Sequence, residues 1–383
     1  MFTRPAWLEP RTAYVHVPFC AHHCGYCDFA VTVGQDHQIE LYLDALDVEL
    51  SQLGTPRPIE TAFIGGGTPT HLSPAQLDRL LTSFHRWLVL PPGGEFSIES
   101  TPESLDDDKC RVLAAHGVTR VSVGVQSFRP HLLTALDRRH RLEHIPRAVD
   151  VVRKHVPHLS LDLIFAAPGA TLADWQADLA DAVRYAPDHI STYGLTYEKG
   201  TPLWKERSRG RVVPVTEDDE LAMYELSLDA LTAAGFEHYE ISNFARPGRR
   251  CRHNERYWAN EAYFGVGVGA ARYVDGAREL NVRNTTDYVR RVLSGEPPTF
   301  QSERLEPRER AFETAAVQLR RGDGIRRPAF REQTGFALGE LLGDRLARLI
   351  ELGLLEEAGG AVRLTRRGKC VADGVVAEVM KGS

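Results

Sequence analysis

Over its first two hundred residues the chain alternates between two hydrophobic periods. Short runs rich in β-branched and aromatic residues at 13–17, 61–65, 95–99, 120–124, 159–165 and 189–195 predict strands. Between them, apolar positions recur every three or four residues at 39–52, 74–88, 105–116 and 172–185, the stripe of an amphipathic helix. Strand–helix alternation at a spacing of roughly 30 residues predicts βαβ units and a parallel sheet. Six such repeats fit an open doubly wound sheet or a complete or partial βα barrel, and periodicity alone does not choose between them.

Past residue 200 the pattern changes. A helical stripe at 217–234 is followed by a strand-like HYEIS, the unusual run CRHNERYW, and the Gly-rich FGVGVGAARY at 264–273. GEPP at 295–298 reads as a linker. Residues 301–383 predict three helices, a hairpin (LLEEAGGAVRLT) and a last helix after RRG, an order that resembles a winged helix. The expected organisation is a core at 1–215, an extension carrying CRHNERYW and the Gly-rich loop at 216–298, and a C-terminal winged-helix-like α/β domain at 299–383.

Composition narrows the class. At ~150 residues per domain, 383 residues make two or three domains. Lys+Arg minus Asp+Glu is 46 − 52 = −6, which argues against a polybasic nucleic-acid or membrane-surface protein. The tail from 301 onward carries 15 basic and 13 acidic residues, a net of +2, too little to argue for DNA. No apolar run approaches the ~18 residues of a membrane span, and MFTRPAWLEP lacks the layout of a signal peptide. The expected location is the cytoplasm.

Cysteine carries the chemical information. Of six cysteines, Cys20, Cys24 and Cys27 fall within YVHVPFCAHHCGYCDF, directly after the first predicted strand, while Cys110, Cys251 and Cys370 are scattered. A disulfide framework would spread its cysteines over a shorter chain. Three thiolates in a C-x3-C-x2-C loop suit three irons of a [4Fe–4S] cube, leaving the fourth iron open to a small molecule. The competing reading is a structural zinc site with His16, His22 or His23 as fourth ligand, but no second C-x2-C unit accompanies the first.

With this motif and the aromatic before its last cysteine, the chain resembles the radical S-adenosylmethionine (SAM) superfamily. The resemblance implies a partial (β/α)6 TIM-like barrel with the cluster loop after the first strand. It also implies that SAM chelates the open iron and is cleaved to a 5′-deoxyadenosyl radical. Further motifs resemble the oxygen-independent coproporphyrinogen III oxidase family along the whole chain: IGGGTP, Glu99 closing the third strand, VSVGVQSF, Arg138 and SLDLIF. Carried over by position, Tyr14, Tyr26, Gly66, Gly67, Thr68, Glu99, Gln126, Arg138 and Asp162 are the expected SAM contacts. The glycines of FGVGVGAARY resemble a loop that closes over the adenine, which adds Ala271.

Two departures separate the branches of that family. The decarboxylating oxidases carry a further cysteine two residues after the third, where this chain has Phe29, and a long N-terminal arm, where about a dozen residues precede the first strand here. In contrast, H-N-x-x-Y-W within CRHNERYW resembles the signature of the family's heme chaperone branch. Imidazole and thiolate both ligate heme iron, so His253 is the expected axial ligand and Cys251 its competitor, with Tyr257 and Trp258 against the porphyrin. The resemblance implies heme as cargo, respiratory hemoproteins as recipients, a flavodoxin or ferredoxin as electron donor, and no nucleic acid. Decarboxylation of coproporphyrinogen III is the enzymatic alternative, and a redox-sensing DNA-binding regulator is a third. The terminal domain is free to cover the barrel mouth, with His85, Arg320 and Arg321 unassigned.

Overall fold

A computed structural model describes residues 5–381; residues 1–4, the start of the segment read for a leader, and 382–383 lie outside the described residues. Six strands run parallel in sequence order: β1 (Thr12–Val17), β2 (Thr61–Gly66), β3 (Glu95–Ser100), β4 (Arg120–Gln126), β5 (His158–Phe165) and β6 (His189–Gly194). Three more complete the sheet: β7 (Glu237–Glu240), β8 (Asn243–Ala245) and β9 (Phe264–Val266). The order is β7-β8-β6-β5-β4-β3-β2-β1-β9, with β9 parallel to β1 and β8 antiparallel to β6. Its two ends do not pair, so among the described residues the sheet is a partial barrel, as expected.

Alternation along each strand sorts two environments. Ala13, Val15, Val17, Ala62, Ile64, Phe96, Ile98, Val121 and Val123 are buried in one apolar cluster with the helices. Intervening positions carry Thr12, His16, Thr61, Glu95, Ser97, Ser122, Ser160 and Ser191, buried but polar. The helical layer comprises α1 (Ile39–Ser51), α2 (Pro74–Trp87), α3 (Asp107–Ala115), α4 (His144–His155), α5 (Leu172–Arg184) and α6 (Glu217–Ala233). Local chemistry sets their starts. Ser73 accepts from the Gln76 amide while the Gln76 side chain returns to the Ser73 N–H, and Thr171 with Asp174 repeats the arrangement on α5. Each cap contributes about 1 kcal/mol.

CRHNERYW forms the short helix α7 (Arg252–Trp258). A three-stranded sheet of β10 (Ala271–Val274), β11 (Ala277–Asn281) and β12 (Thr299–Glu303) follows, interrupted by α8 (Thr285–Leu293). Residues 295–298, read as a linker, join α8 to β12, which pairs with β11. A separate apolar cluster spans Ala311 to Val379. It is built from α9 (Pro307–Gln318), α10 (Arg327–Thr334), α11 (Leu338–Leu342), α12 (Asp344–Glu351), the small sheet of β13 (Ile325–Arg326), β14 (Leu355–Ala358) and β15 (Ala361–Leu364), and the expected last helix, Ala372–Met380. Four helices therefore precede the hairpin where three were expected, because Gly343 at φ +54 breaks the stripe between α11 and α12.

This terminal unit packs on α7 and the β7 edge: Gln333 Nε2 donates to the Ala259 carbonyl at 2.9 Å and the Gly322 amide to that of Tyr239 at 2.7 Å. Among the described residues no helix is long and apolar enough to cross a membrane.

Candidate functional site

The C-terminal ends of β1 to β6 open into a cavity of about 730 Å³, where parallel βα folds gather their sites. Among the described residues its lining ends at Glu198, and none of the terminal domain's described residues lines this mouth.

Cys20, Cys24 and Cys27 are free thiols and all three line the cavity. The loop that carries them is gripped at Gly25, whose N–H donates to the Leu136 carbonyl at 3.3 Å and whose carbonyl accepts from the Leu203 amide at 2.8 Å. Cys20 Sγ lies 3.3 Å from Thr68 Oγ1, and Arg138 Nη1 donates to Cys24 Sγ at 3.3 Å. Burial pushes the Cys20 thiol up to about 12 and that of Cys27 to about 11; the Thr68 hydroxyl opposes this at Cys20, and the neighbouring thiols add to it. Ionising them together calls for a positive centre, which an iron cluster supplies. No three His, Cys, Asp or Glu side chains among the described residues converge as the ligand set of one metal ion. A cube does not need that convergence, since each thiolate meets a different iron. The donor set therefore fits a [4Fe–4S] group.

Above the cysteines, strand ends contribute polar groups. The Gly66 amide donates to Glu99 Oε2 at 2.9 Å. Burial, reinforced by the Asp162 charge and opposed by that amide, raises the Glu99 carboxyl to about 7. Asp162 accepts from Ser122 Oγ at 2.8 and 2.9 Å and from Ser191 Oγ at 2.7 Å, and burial raises its carboxyl too. Gln126 reaches the cavity through a bulge: register slips between Gly124 and Gln126, and Gln126 adopts φ +65, a left-handed backbone that bulky residues resist. Arg138 follows a second such residue, Asp137 at φ +54. Its Nη2 donates to the Gly124 carbonyl at 2.9 Å, while its buried Nε has no hydrogen-bond partner among the described residues.

Tyr26, Gly66, Gly67 and Thr68 complete the set that the fold brings together. The glycines of this strand end also make room for the protein's own side chains. A Cβ on Gly65 would sit 2.6 Å from the Glu99 carboxylate and one on Gly66 2.3 Å from the His16 ring. The protein's own side chains occupy that space.

Other expected residues are not brought to the cavity. Tyr14 lies deeper in the lumen, its hydroxyl 3.4 Å from His16 Nδ1 and its ring stacked on Phe63. Ala271 belongs to β10, and its carbonyl crosses so close to Gly265 that a Cβ there would fall 1.7 Å away. The Gly-rich loop packs on α1 instead: the Gly267 amide donates to the buried Glu49 at 2.7 Å. His253 is 1% exposed at the opposite end of the barrel, where Glu95, the first residue of β3, accepts from its amide at 3.0 Å. Its ring packs on Phe63 and Tyr257, and burial lowers it to about 4. Cys251 is equally enclosed, its thiol 3.4 Å from Glu95. His85 binds the His116 carbonyl, and Arg320 lies over the Trp258 ring, 5.0 Å from its centroid; neither lines the cavity. Arg321, whose backbone lies antiparallel to that of Glu240, does not line it either.

Two lining residues carried no signal in the motifs: Tyr193 near the end of β6 and Glu198 just beyond it. Tyr193 stands one residue before the end of its strand, the positional signal that singled out Glu99.

The radical SAM superfamily model matches residues 14–182, and the HemN C-terminal domain model matches 305–371. The heme chaperone HemW of Bacillus subtilis is 35% identical over 373 residues, covering 95% of this chain and 98% of the relative. That of Escherichia coli K12 is 32% identical, covering 94% and 96%. Among solved structures, E. coli coproporphyrinogen III oxidase, HemN, superimposes with a TM-score of 0.85 at 22% identity over 98% of this chain and 91% of that one, a likeness of fold. With such identity to HemW sustained along nearly its whole length, the chain belongs to the HemW family of radical SAM proteins.

Proposed function

We propose that this protein binds heme and delivers it to respiratory hemoproteins from the cytoplasm, as a heme chaperone. The observation that carries this reading is 35% identity over 95% of the chain to a protein named heme chaperone HemW. Phe29, 65% exposed at the cavity rim, supports it, standing where the decarboxylating oxidases carry a fourth cysteine.

On this reading Cys20, Cys24 and Cys27 hold a [4Fe–4S] cluster. Glu99, Gln126, Arg138 and Asp162 orient SAM with Tyr26, Gly66, Gly67 and Thr68. When bound, the pair supplies one-electron chemistry. Arg138 suits a carboxylate, because its guanidinium is fixed by Gly124 and keeps an unpartnered N–H. Glu99 and Asp162 offer acceptors for an amine and for hydroxyls. Tyr14 and Ala271 would act only indirectly, from the lumen and from β10. His253 would meet heme iron only after α7 swings away from Glu95 and Phe63.

The test is anaerobic. The reconstituted protein is given reductant, SAM and coproporphyrinogen III, with porphyrins and 5′-deoxyadenosine read by mass spectrometry, and heme is titrated in parallel. Stoichiometric heme binding without decarboxylated product is expected. Protoporphyrinogen formed over many turnovers overturns the reading in favour of the oxidase.

A further inference from the structure

Charge is unevenly distributed around the cluster loop. The chain as a whole is at −6, yet residues 199–211 carry Lys199, Lys205, Arg207, Arg209 and Arg211 against Glu206 alone, 5 − 1 = +4. All five cations are exposed. Arg209 and Arg211 share Glu206, at 3.1 and 3.4 Å, and Arg207 lies over the Tyr197 ring, so most of this positive charge is uncompensated. On the other flank of the loop, Arg139 and Arg141 are exposed as well.

The placement is specific. The helix Pro202–Ser208 begins against the cysteine loop, where the Leu203 amide donates to the Gly25 carbonyl at 2.8 Å. Gly25 is covalently joined to Cys24, and a Cβ on it would meet Leu203 Cδ1 at 2.8 Å. The opposite side of Gly25 is held by Leu136, at the start of the second basic segment. One hydrogen bond therefore links the backbone of a +4 surface to Gly25, the residue that follows Cys24 in the cysteine loop. Val213, 77% exposed, adds an apolar contact at the edge of the patch.

We infer that this surface docks an acidic one-electron carrier protein. The inference rests on the cluster assignment above. Opposite charge steers such partners and sets their orientation, and electron-transfer encounters use small interfaces below about 1,200 Å². A flavin carrier gives up one electron from its anionic hydroquinone and leaves as the neutral semiquinone, so no proton need cross the interface. An anionic membrane would also be drawn to the patch. It has no use, however, for a patch whose helix is hydrogen-bonded to the cysteine loop at Gly25, and that placement favours the carrier.

The test uses oxidised flavodoxin as the probe and the variant K199Q/K205Q/R209Q/R211Q, which leaves Leu203, Arg207 and the cavity untouched. Binding is measured by calorimetry at 20 and 200 mM salt on the reconstituted protein, whose iron–sulfur absorbance separately checks the cluster assignment. Wild type should bind about tenfold more tightly than the variant at low salt and lose most of that advantage at high salt. Reduction by flavodoxin hydroquinone should slow in the variant, while reduction by photoreduced deazaflavin, a small carrier, stays the same. Equal flavodoxin affinity in the two proteins overturns the inference. So does a variant defect confined to sedimentation with phosphatidylglycerol vesicles, or one shared equally by both reductants.

Discussion

Arg138 and Cys24 are joined directly: Nη1 donates to the sulfur at 3.3 Å while Nη2 is anchored on the Gly124 carbonyl. One guanidinium thus ties the cysteine loop to the end of β4 and faces the cavity.

Replacing Arg138 with Gln is expected to weaken SAM binding by about tenfold or more, since a charge-assisted, oriented donor is lost. Equilibrium binding to the reconstituted protein checks this, with iron content unchanged. Arg138→Lys should recover only part of the affinity, because an ammonium cannot reproduce the fork.

Cys24→Ala should abolish the four-iron absorbance after anaerobic reconstitution. Cys370→Ala, at a residue outside the cavity lining, should leave it intact. A full cluster signal in the first variant would remove Cys24 from the ligand set.

His253 makes stability depend on pH. Buried and neutral, it takes a proton in the fold only near pH 4, whereas the unfolded chain takes one near 6.5. The unfolded state therefore gains protons first as pH falls, and stability is lost across the window from 6.5 to 4. At pH 5 the loss from this residue is about 2 kcal/mol. His253→Gln should reduce the difference between urea unfolding at pH 7.5 and pH 5 by that amount. An unchanged pH profile would mean that the ring is not sealed behind α7.

Gly66→Ala should cost about 2–4 kcal/mol, combining a backbone at φ +104 with a collision on the His16 ring. Gly353→Ala, at φ +67 with open space around it, should cost about 1 kcal/mol. Thermal melts of the two variants separate collision from backbone strain.

Much of this architecture is legible before any coordinates. The six parallel strands fall within two residues of the expected bounds, because fully buried strands read as dense apolar runs flanked by amphipathic helices. Cys20, Cys24 and Cys27 share one loop by spacing alone, and Glu99, Gln126 and Asp162 are marked by being polar near strand ends. The split of α11 from α12 is harder to see, since only the backbone at Gly343 interrupts a continuous stripe.

The sequence by itself therefore determined the order of elements and the cysteine loop, both properties of local period and spacing, while the barrel was implied only by the family resemblance. Depth and end were decided by the tertiary structure. Tyr14 and His16 alternate onto the same face as Glu99, yet sheet register sets how far each reaches along the lumen. His253 and Ala271 arrive by long connections whose docking depends on Glu95 and Gly265 rather than on neighbours in the chain. Gly66 carries the same lesson: a missing side chain is visible in the sequence, but which atoms need its space is a long-range fact of packing.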